Sequence, residues 1–254
     1  MALFTDGLVS GLEDLTAQDT QLGSVANVEG IDVTQKLRLA QDELALELGS
    51  MLDSSGSAEQ VLWRGGVPGI ESVVITPALK LWHTYRALEM VYRDAYSNQL
   101  NDRYRAKRDQ FAERAKWAVE KLMQAGIGIA SRPMPRASAP TVTGTPGSLP
   151  DGTYYVATSW TSSDGEEGAS STAVTIACEA STLVAQQAKA PATAVGWNVY
   201  VGPGPELMTR QNAAPIAIGQ TWMQANSLTS DGTSPGPGQA VSYYKATPRM
   251  MWRG

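Results

Sequence analysis

Four prolines among small residues mark the stretch SRPMPRASAPTVTGTPG at positions 131–147. This composition is typical of an extended linker. The sequence before it is dense in charge and has helical spacing, whereas the sequence after it is rich in Thr, Ser, Gly, Val and aromatic residues. We therefore predict an all-α domain at 1–131, a Pro-rich linker at 132–147, a β-domain at 148–242 and a separate tail at 243–254.

Two long helices are predicted in the N-terminal domain. The first follows Asp32, a residue that can cap a helix, and its apolar stripe consists of Val33, Leu37, Ala40, Leu44, Leu48 and Met51. The second begins at Thr76 and Pro77, because Thr caps a helix and Pro suits its first position. Its apolar stripe slips by one position near 97–101, which indicates a kink, a short break or a continuous helix with a rotating buried face. The sequence of residues 1–31 predicts weak structure with one short helical segment.

Seven short strands are predicted after the linker. The segment TYYVATSWT at 153–161 predicts a strand with Tyr154, Val156, Thr158 and Trp160 on one face. The segment VGWNVYV at 195–201 alternates apolar residues with others, as a strand with one buried face does. Weaker candidates lie at 169–178, 182–187, 208–211, 216–218 and 221–224. This number of strands in about a hundred residues favours an immunoglobulin-like or fibronectin-type sandwich. The predicted fold class is α+β multidomain, an N-terminal all-α helical domain followed by a C-terminal all-β immunoglobulin-like sandwich.

The formal net charge of −5 is unevenly distributed along the chain. Residues 1–60 hold 11 acidic and 2 basic side chains, a net of −9, and residues 77–123 hold 10 basic and 6 acidic side chains, a net of +4. A free nucleic-acid-binding domain would be basic overall, so opposed charge favours contacts between the two segments, within a chain or between copies. We expect no membrane segment, because no apolar run approaches the roughly 20 residues that cross a bilayer.

The residues that carry chemistry are sparse. His83 is the only histidine and Cys178 the only cysteine, and they fall in different predicted domains. A zinc site needs several such ligands, and a triad needs a His beside its nucleophile. We therefore predict that the protein is not an enzyme and that it has no catalytic residue, no cofactor and no metal. Cys178 is predicted to be a buried residue at a strand end, and Glu166 and Glu167 to decorate a hairpin turn.

Two clusters are candidates for partner binding. The basic run Arg103, Arg105, Lys107 and Arg108 predicts either a solvated helix face with local acidic partners or an inter-subunit face that contacts acidic groups or DNA phosphates. The tail YYKATPRMMWRG is rich in residue types that are enriched in interface cores, with plain disorder as the alternative. The predicted docking residues of the tail are Tyr243, Tyr244, Lys245, Arg249, Met250, Met251, Trp252 and Arg253.

The helical half resembles a known family. The segment YRDAYSNQLNDRYRAKRDQF at 92–111, within 77–124, resembles the helical domain of tailed-phage head–tail connector proteins, the portal adaptors. The segment VEGIDVTQKLRLAQDELALEL at 28–48 resembles the first helix of that family. The later segments GTYYVATSWTSSDGEEG and GWNVYVG are similar to the immunoglobulin- or fibronectin-like modules often appended to phage virion proteins.

This resemblance implies a structural virion protein of the neck, made in the cytoplasm of a bacterial host. Such adaptors form a homo-oligomeric ring, commonly twelvefold, attached to the portal protein. The ring extends the channel through which DNA passes without sequence-specific binding, and it carries the tail or a neck stopper protein. In several members a terminal arm inserts into the portal, and the resemblance implies that 243–254 is this arm, although here it follows the β-domain. The acidic segment 1–60 would suit a channel wall that repels phosphates.

The alternative is a tail or baseplate accessory protein whose sandwich binds a glycan. Trp160, Trp197 or Trp222 would then stack on sugars, but the alternation places Trp160 and Trp197 on buried faces. A cell-wall hydrolase is a more distant alternative, because it needs two carboxylates that face one cleft and the β-half offers few outside turns.

Overall fold

The computed structural model divides the chain into two compact units. It describes residues 1–54, 68–225, 227–230, 232–236 and 238–245. The helical unit contains Gly7–Ser131 and the segment that begins at Ser242, and the β unit contains Met1–Asp6 and Arg132–Val241. The units therefore differ from the predicted domains at both ends of the chain, where each terminal segment joins the other unit.

Helices come first along the chain and strands follow, so the fold class is α+β. The helices are α1 (Leu12–Gln18), α2 (Leu22–Glu29), α3 (Val33–Ser54), α4 (Pro77–Gln99) and α5 (Asp102–Ala125). The strands are β1 (Ile127–Ile129), β2 (Thr141–Leu149), β3 (Gly152–Thr161), β4 (Val174–Cys178), β5 (Ser181–Gln186), β6 (Gly196–Gly202), β7 (Thr209–Arg210), β8 (Ile216–Ala217), β9 (Trp222–Met223) and β10 (Ser242–Tyr244).

The first predicted helix is confirmed as α3. The side chain of Asp32 accepts a hydrogen bond from the backbone N–H of Gln35 at 3.1 Å, as an N-cap does. Four residues of the predicted apolar stripe are fully or almost fully buried: Leu37, Ala40, Leu44 and Leu48.

The second predicted helix is two helices, α4 and α5, that form an antiparallel hairpin. Leu100 adopts a left-handed conformation with φ +50° and ends α4, and the Asn101 side chain caps α5. The Tyr92 ring lies 6.3 Å from the ring of Tyr104 and 5.7 Å from that of Phe111, centroid to centroid. The structure therefore confirms the prediction of a short break near 97–101 and contradicts that of a continuous helix. The slip of the apolar stripe marks the change from one helix to the next.

The prediction of weak structure for residues 1–31 is wrong. This segment forms α1 and α2, and Leu15 and Leu22 are completely buried. Helices of seven and eight residues are marginal alone and depend on burial of their apolar side chains. Such short helices show too few turns for the periodicity to stand out in the sequence.

The β unit contains two antiparallel sheets with a shared hydrophobic core. One sheet has the order β2-β5-β9, and the other has the order β4-β3-β6-β7, with β8 paired to β6. All seven predicted strands are confirmed, as β3 to β9. The core draws Leu183 from the first sheet and Val156, Trp160, Trp197 and Val199 from the second.

Strand β6 differs from its prediction in one respect. Every residue from Gly196 to Gly202 is buried, so the expectation of one buried face is wrong. β6 pairs with β3 on one side and with β7 and β8 on the other, which makes it a central strand. Its second face buries Tyr200 together with Ala157 and Met208.

The predicted linker contributes to the β unit, which corrects the linker assignment for much of 132–147. Met134 and Ala137 are buried in the core, and β2 begins at Thr141. β2 carries Pro146, where its pairing with β5 shifts register before Leu149. A proline is tolerated there because β2 is an edge strand, so its missing N–H leaves no gap inside a sheet.

Candidate partner-binding surfaces

The root of the tail is a strand of the helical unit. β10 pairs antiparallel with β1, and Tyr244 lies opposite Ile127, Tyr243 opposite Gly128 and Ser242 opposite Ile129. On its other side β1 bridges to Val73. β1 therefore lies between β10 and this isolated bridge, and both partners come from distant parts of the sequence.

The described part of the tail is accessible at its root. Tyr243 is 53% exposed, Tyr244 is half-buried and Lys245 is exposed. The other predicted docking residues lie outside the described residues; they are Arg249, Met250, Met251, Trp252 and Arg253.

Gly126 makes the pairing of β10 with β1 possible. Its φ of +101° is one that other residues rarely adopt, and a Cβ there would lie 2.9 Å from the Tyr244 carbonyl oxygen. We expect Gly126→Val to weaken the β1–β10 pairing by about 1–3 kcal/mol. Amide hydrogen exchange of Ile127–Ile129 and Ser242–Tyr244 measures the effect. Gly23→Val, at a helical glycine with open space around its Cβ position, is the control. Unchanged protection in Gly126→Val would contradict this prediction.

The side chains of the basic run on α5 differ in their partners and exposure. The Lys107 ammonium donates to the buried Asp19 carboxylate at 2.9 Å, and Arg108 pairs with Asp109 at 2.6 Å. The Arg103 guanidinium carbon lies 4.9 Å from the centre of the Tyr104 ring, and Arg103 is exposed. Arg105 is exposed and has no ion pair with any described residue. Arg103 and Arg105 are therefore the members of the run that face outward.

Asp19 is a tertiary anchor that the sequence prediction missed. Its carboxylate is buried and accepts hydrogen bonds from the Tyr92 hydroxyl at 2.7 Å and from Lys107. Burial alone would raise the pKa of Asp19, but these two donors and the Gln21 N–H lower it below its ordinary value. The ion pair joins residues 88 positions apart, so no local pattern indicates it.

His83 is buried and fully hydrogen-bonded within the helical unit. Its Nε2–H donates to the Leu37 carbonyl at 2.9 Å, so its Nδ1 accepts from the Ser10 hydroxyl at 2.6 Å. Burial lowers the pKa of His83, although the Leu37 carbonyl and Asp14 act in the opposite direction. The structure thus places His83 as a core histidine with both ring nitrogens hydrogen-bonded.

The candidate residues of the β unit are in its interior. Trp160 and Trp197 are buried, as the alternation predicted, so neither indole can stack on a sugar. Cys178 is buried at the end of β4, also as predicted, and burial raises the pKa of its thiol. Glu167 does more than decorate a turn, because its carboxylate accepts hydrogen bonds from the hydroxyls of Ser159 and Tyr200.

Comparisons with protein-family models, with curated proteins and with solved structures found no match to this chain. Within the described residues, no helix combines the length and the apolar character that a membrane crossing requires. No group of three or more His, Cys, Asp and Glu side chains in that part of the chain is placed to hold a metal ion. The candidate surfaces with exposed residues in the described part of the chain are the root of the tail and the start of α5, with Arg103 and Arg105.

Proposed function

We propose that the protein is a structural component of a phage neck, a head-to-tail adaptor that forms a ring beneath the portal and joins capsid to tail. The observation that carries this proposal is the pairing of β10 with β1, which roots the tail in the helical unit. The tail follows the β unit in sequence, but its base belongs to the same unit as the helices that resemble the adaptor family. A terminal arm that leaves an adaptor's helical domain needs such a base.

The chemistry of the tail supports docking to another protein. Tyr, Trp, Met and Arg are enriched in interface cores, and the tail contains all four types. Hydrogen bonds to β1 hold Ser242–Tyr244 in place, so these residues of the root lose less conformational freedom when the tail binds.

The other parts of the chain have supporting roles in this proposal. In this proposal the β unit, with its two sheets and shared core, serves as an immunoglobulin-like module that decorates the ring. Residues 1–60 carry a net charge of −9. In this proposal the carboxylates of this segment that are neither paired within the chain nor used between copies face the channel and let DNA slide by repelling phosphates. A ring structure with residues 1–60 wholly on the outer surface would exclude a role of this segment in lining the channel.

Truncation after Lys245 tests the docking of the tail. We expect the truncated protein to bind the portal of its phage at least about a hundredfold more weakly, since loss of a few interface hot spots has this effect. Surface plasmon resonance on immobilised portal measures the affinity, and electron microscopy locates the complex. A full-length control with residues 246–254 in scrambled order separates the sequence of the tail from its length. A protein that binds polysaccharide and ignores the portal would overturn the assignment.

A further inference from the structure

The turn between α4 and α5 carries an apolar residue in a strained and exposed position. Leu100 has a φ of +50°, in the left-handed region where Gly and Asn are favoured, and its side chain is 73% exposed. Neither folding nor solubility favours leucine here, because Gly or Asn would relieve the strain and remove the exposed apolar surface. Strain that stability does not explain is most often retained at functional sites.

A second exposed aliphatic residue lies at the same end of the helical unit. Val28 is 72% exposed and is one residue before Glu29, the last residue of α2. Glu29 contacts the beginning of α5, because its carboxylate accepts a hydrogen bond from the Tyr104 hydroxyl at 3.0 Å. The end of α2 is thus adjacent to the hairpin turn.

Two cations complete this surface. Arg103 and Arg105 lie in the first turn of α5, exposed and without an ion pair to any described residue. Two acidic residues lie near them: Asp102, at the helix N-terminus where a carboxylate is favourable, and Glu29, whose carboxylate accepts from the same Tyr104 hydroxyl to which Arg103 donates at 3.1 Å. We name Val28, Leu100, Arg103 and Arg105 the turn surface. It combines two aliphatic side chains with two cations.

The outer side of α3 has the complementary composition. Leu39 and Leu46 are exposed, Leu46 to 76%, although both lie on a helix whose opposite side packs into the core. Asp42 lies between them and Glu47 beside them, and neither carboxylate has an ion pair within the described part of the chain. The basic residues of α3 are Arg38, which is exposed, and Lys36, whose ammonium pairs with Asp94. We name Leu39, Asp42, Leu46 and Glu47 the α3 surface.

We propose that the turn surface of one copy docks on the α3 surface of the next copy. Each surface offers two aliphatic side chains, and the two arginines of one match the two carboxylates of the other. The two surfaces share no residue, so each copy can use both at once. Such a head-to-tail contact builds rings when its rotation closes, and the inference therefore deepens the proposed function by naming the interface of that ring.

Charge reversal tests this pairing. We expect the turn variant Arg103→Glu/Arg105→Glu and the α3 variant Asp42→Lys/Glu47→Lys each to raise the dissociation constant for self-association at least about a hundredfold, because like charges then face each other. An equimolar mixture of the two variants should recover self-association. In the mixture the acidic turn surface meets the basic α3 surface, and the basic turn surface meets the acidic α3 surface, so copies alternate. Sedimentation velocity and native mass spectrometry measure the masses.

Leu100→Asn tests the apolar part of the turn surface. Asn tolerates the left-handed conformation, so we expect the melting temperature to stay the same or rise while self-association weakens at least about tenfold. A leucine with only a structural role would produce the opposite change in melting temperature. Leu207→Asn, at a residue of the β unit that is 64% exposed, is the matched control and should leave self-association unchanged.

Three results would overturn the inference. The wild-type protein could stay monomeric, the folded charge-reversal variants could assemble like the wild type, or their mixture could fail to recover assembly. The assay contains no portal, so its result is independent of docking through the tail. A ring that forms through these surfaces and ignores the portal would contradict the proposed function and leave the interface in place.

Discussion

Replacement of Asp19 by alanine is expected to lower the free energy of unfolding of the helical unit by about 3–5 kcal/mol. The substitution removes the acceptor of the Tyr92 hydroxyl and leaves the partly buried Lys107 ammonium without its counter-ion. The loss of one partner from a buried pair costs more than the pair itself contributes, because the remaining polar groups stay desolvated. Urea denaturation followed by circular dichroism measures the change.

Two variants define what the Asp19 result means. The double variant Asp19→Ala/Lys107→Met removes both charges and should recover part of the lost stability, since no charge is left unpaired. Glu113→Ala breaks the exposed pair of Glu113 with Lys116 and should change stability by less than about 1 kcal/mol. An Asp19→Ala variant as stable as Glu113→Ala would show that Asp19 is not an anchor.

The elements with a strong local pattern could be predicted from the sequence. α3 has a regular apolar stripe over its length, and the slip of the stripe near 97–101 marks the break between α4 and α5. β3 and β6 alternate clearly enough to be located within one residue at each end. Local periodicity could not show that β6 is buried on both faces, because that depends on which strands and side chains surround it.

The elements that depend on distant partners could not be predicted. β1 and β10 have three residues each and exist through their pairing with each other. β2 resembles a linker in composition, and its position at a sheet edge is what makes its proline acceptable. Short strands of this kind have no periodicity that a sequence window can detect.

The sequence showed which segments could form the candidate surfaces, but not which of their side chains are exposed or what their backbone is attached to. The composition of 103–108 allowed either a solvated helix face or a contact surface, and which cations face outward depends on tertiary partners such as Asp19 for Lys107. The aromatic root of the tail was visible in the sequence as Tyr243 and Tyr244. Its attachment to the helical unit was not, because β1 lies more than a hundred residues earlier in the chain.

Acid is expected to destabilise the helical unit through His83. Burial holds the pKa of His83 below the value of about 6.5 that it has in the unfolded chain. The folded state therefore favours the neutral ring, and its stabilising contribution is complete above about pH 6.5. The contribution is lost as pH falls from about 6.5 toward the folded pKa, at up to about 1.4 kcal/mol for each pH unit. A protonated Nδ1 can no longer accept the Ser10 hydrogen bond.

The pH range separates this effect from that of the nearby carboxylates. Asp14 pairs with Lys80 at 2.8 Å, and the pKa of Asp14 and that of Asp19 are both lowered. Their contributions are complete above their unfolded pKa of about 4 and are lost only at lower pH. The Met1 α-amino group, whose pKa burial also lowers, belongs to the β unit. A decline in the unfolding free energy of the helical unit between pH 6.5 and about pH 5 is therefore assigned to His83, the only histidine.

His83→Gln isolates the titration from the hydrogen bonds. A glutamine can donate to the Leu37 carbonyl and accept from Ser10 without a charge change, so we expect its unfolding free energy to be flat across that range. Urea denaturation of both proteins at closely spaced pH values provides the comparison. Equal slopes in wild type and His83→Gln would contradict the assignment. A steeper decline in the wild type alone would show that the contact of α4 with Leu37 and Ser10 depends on a neutral imidazole.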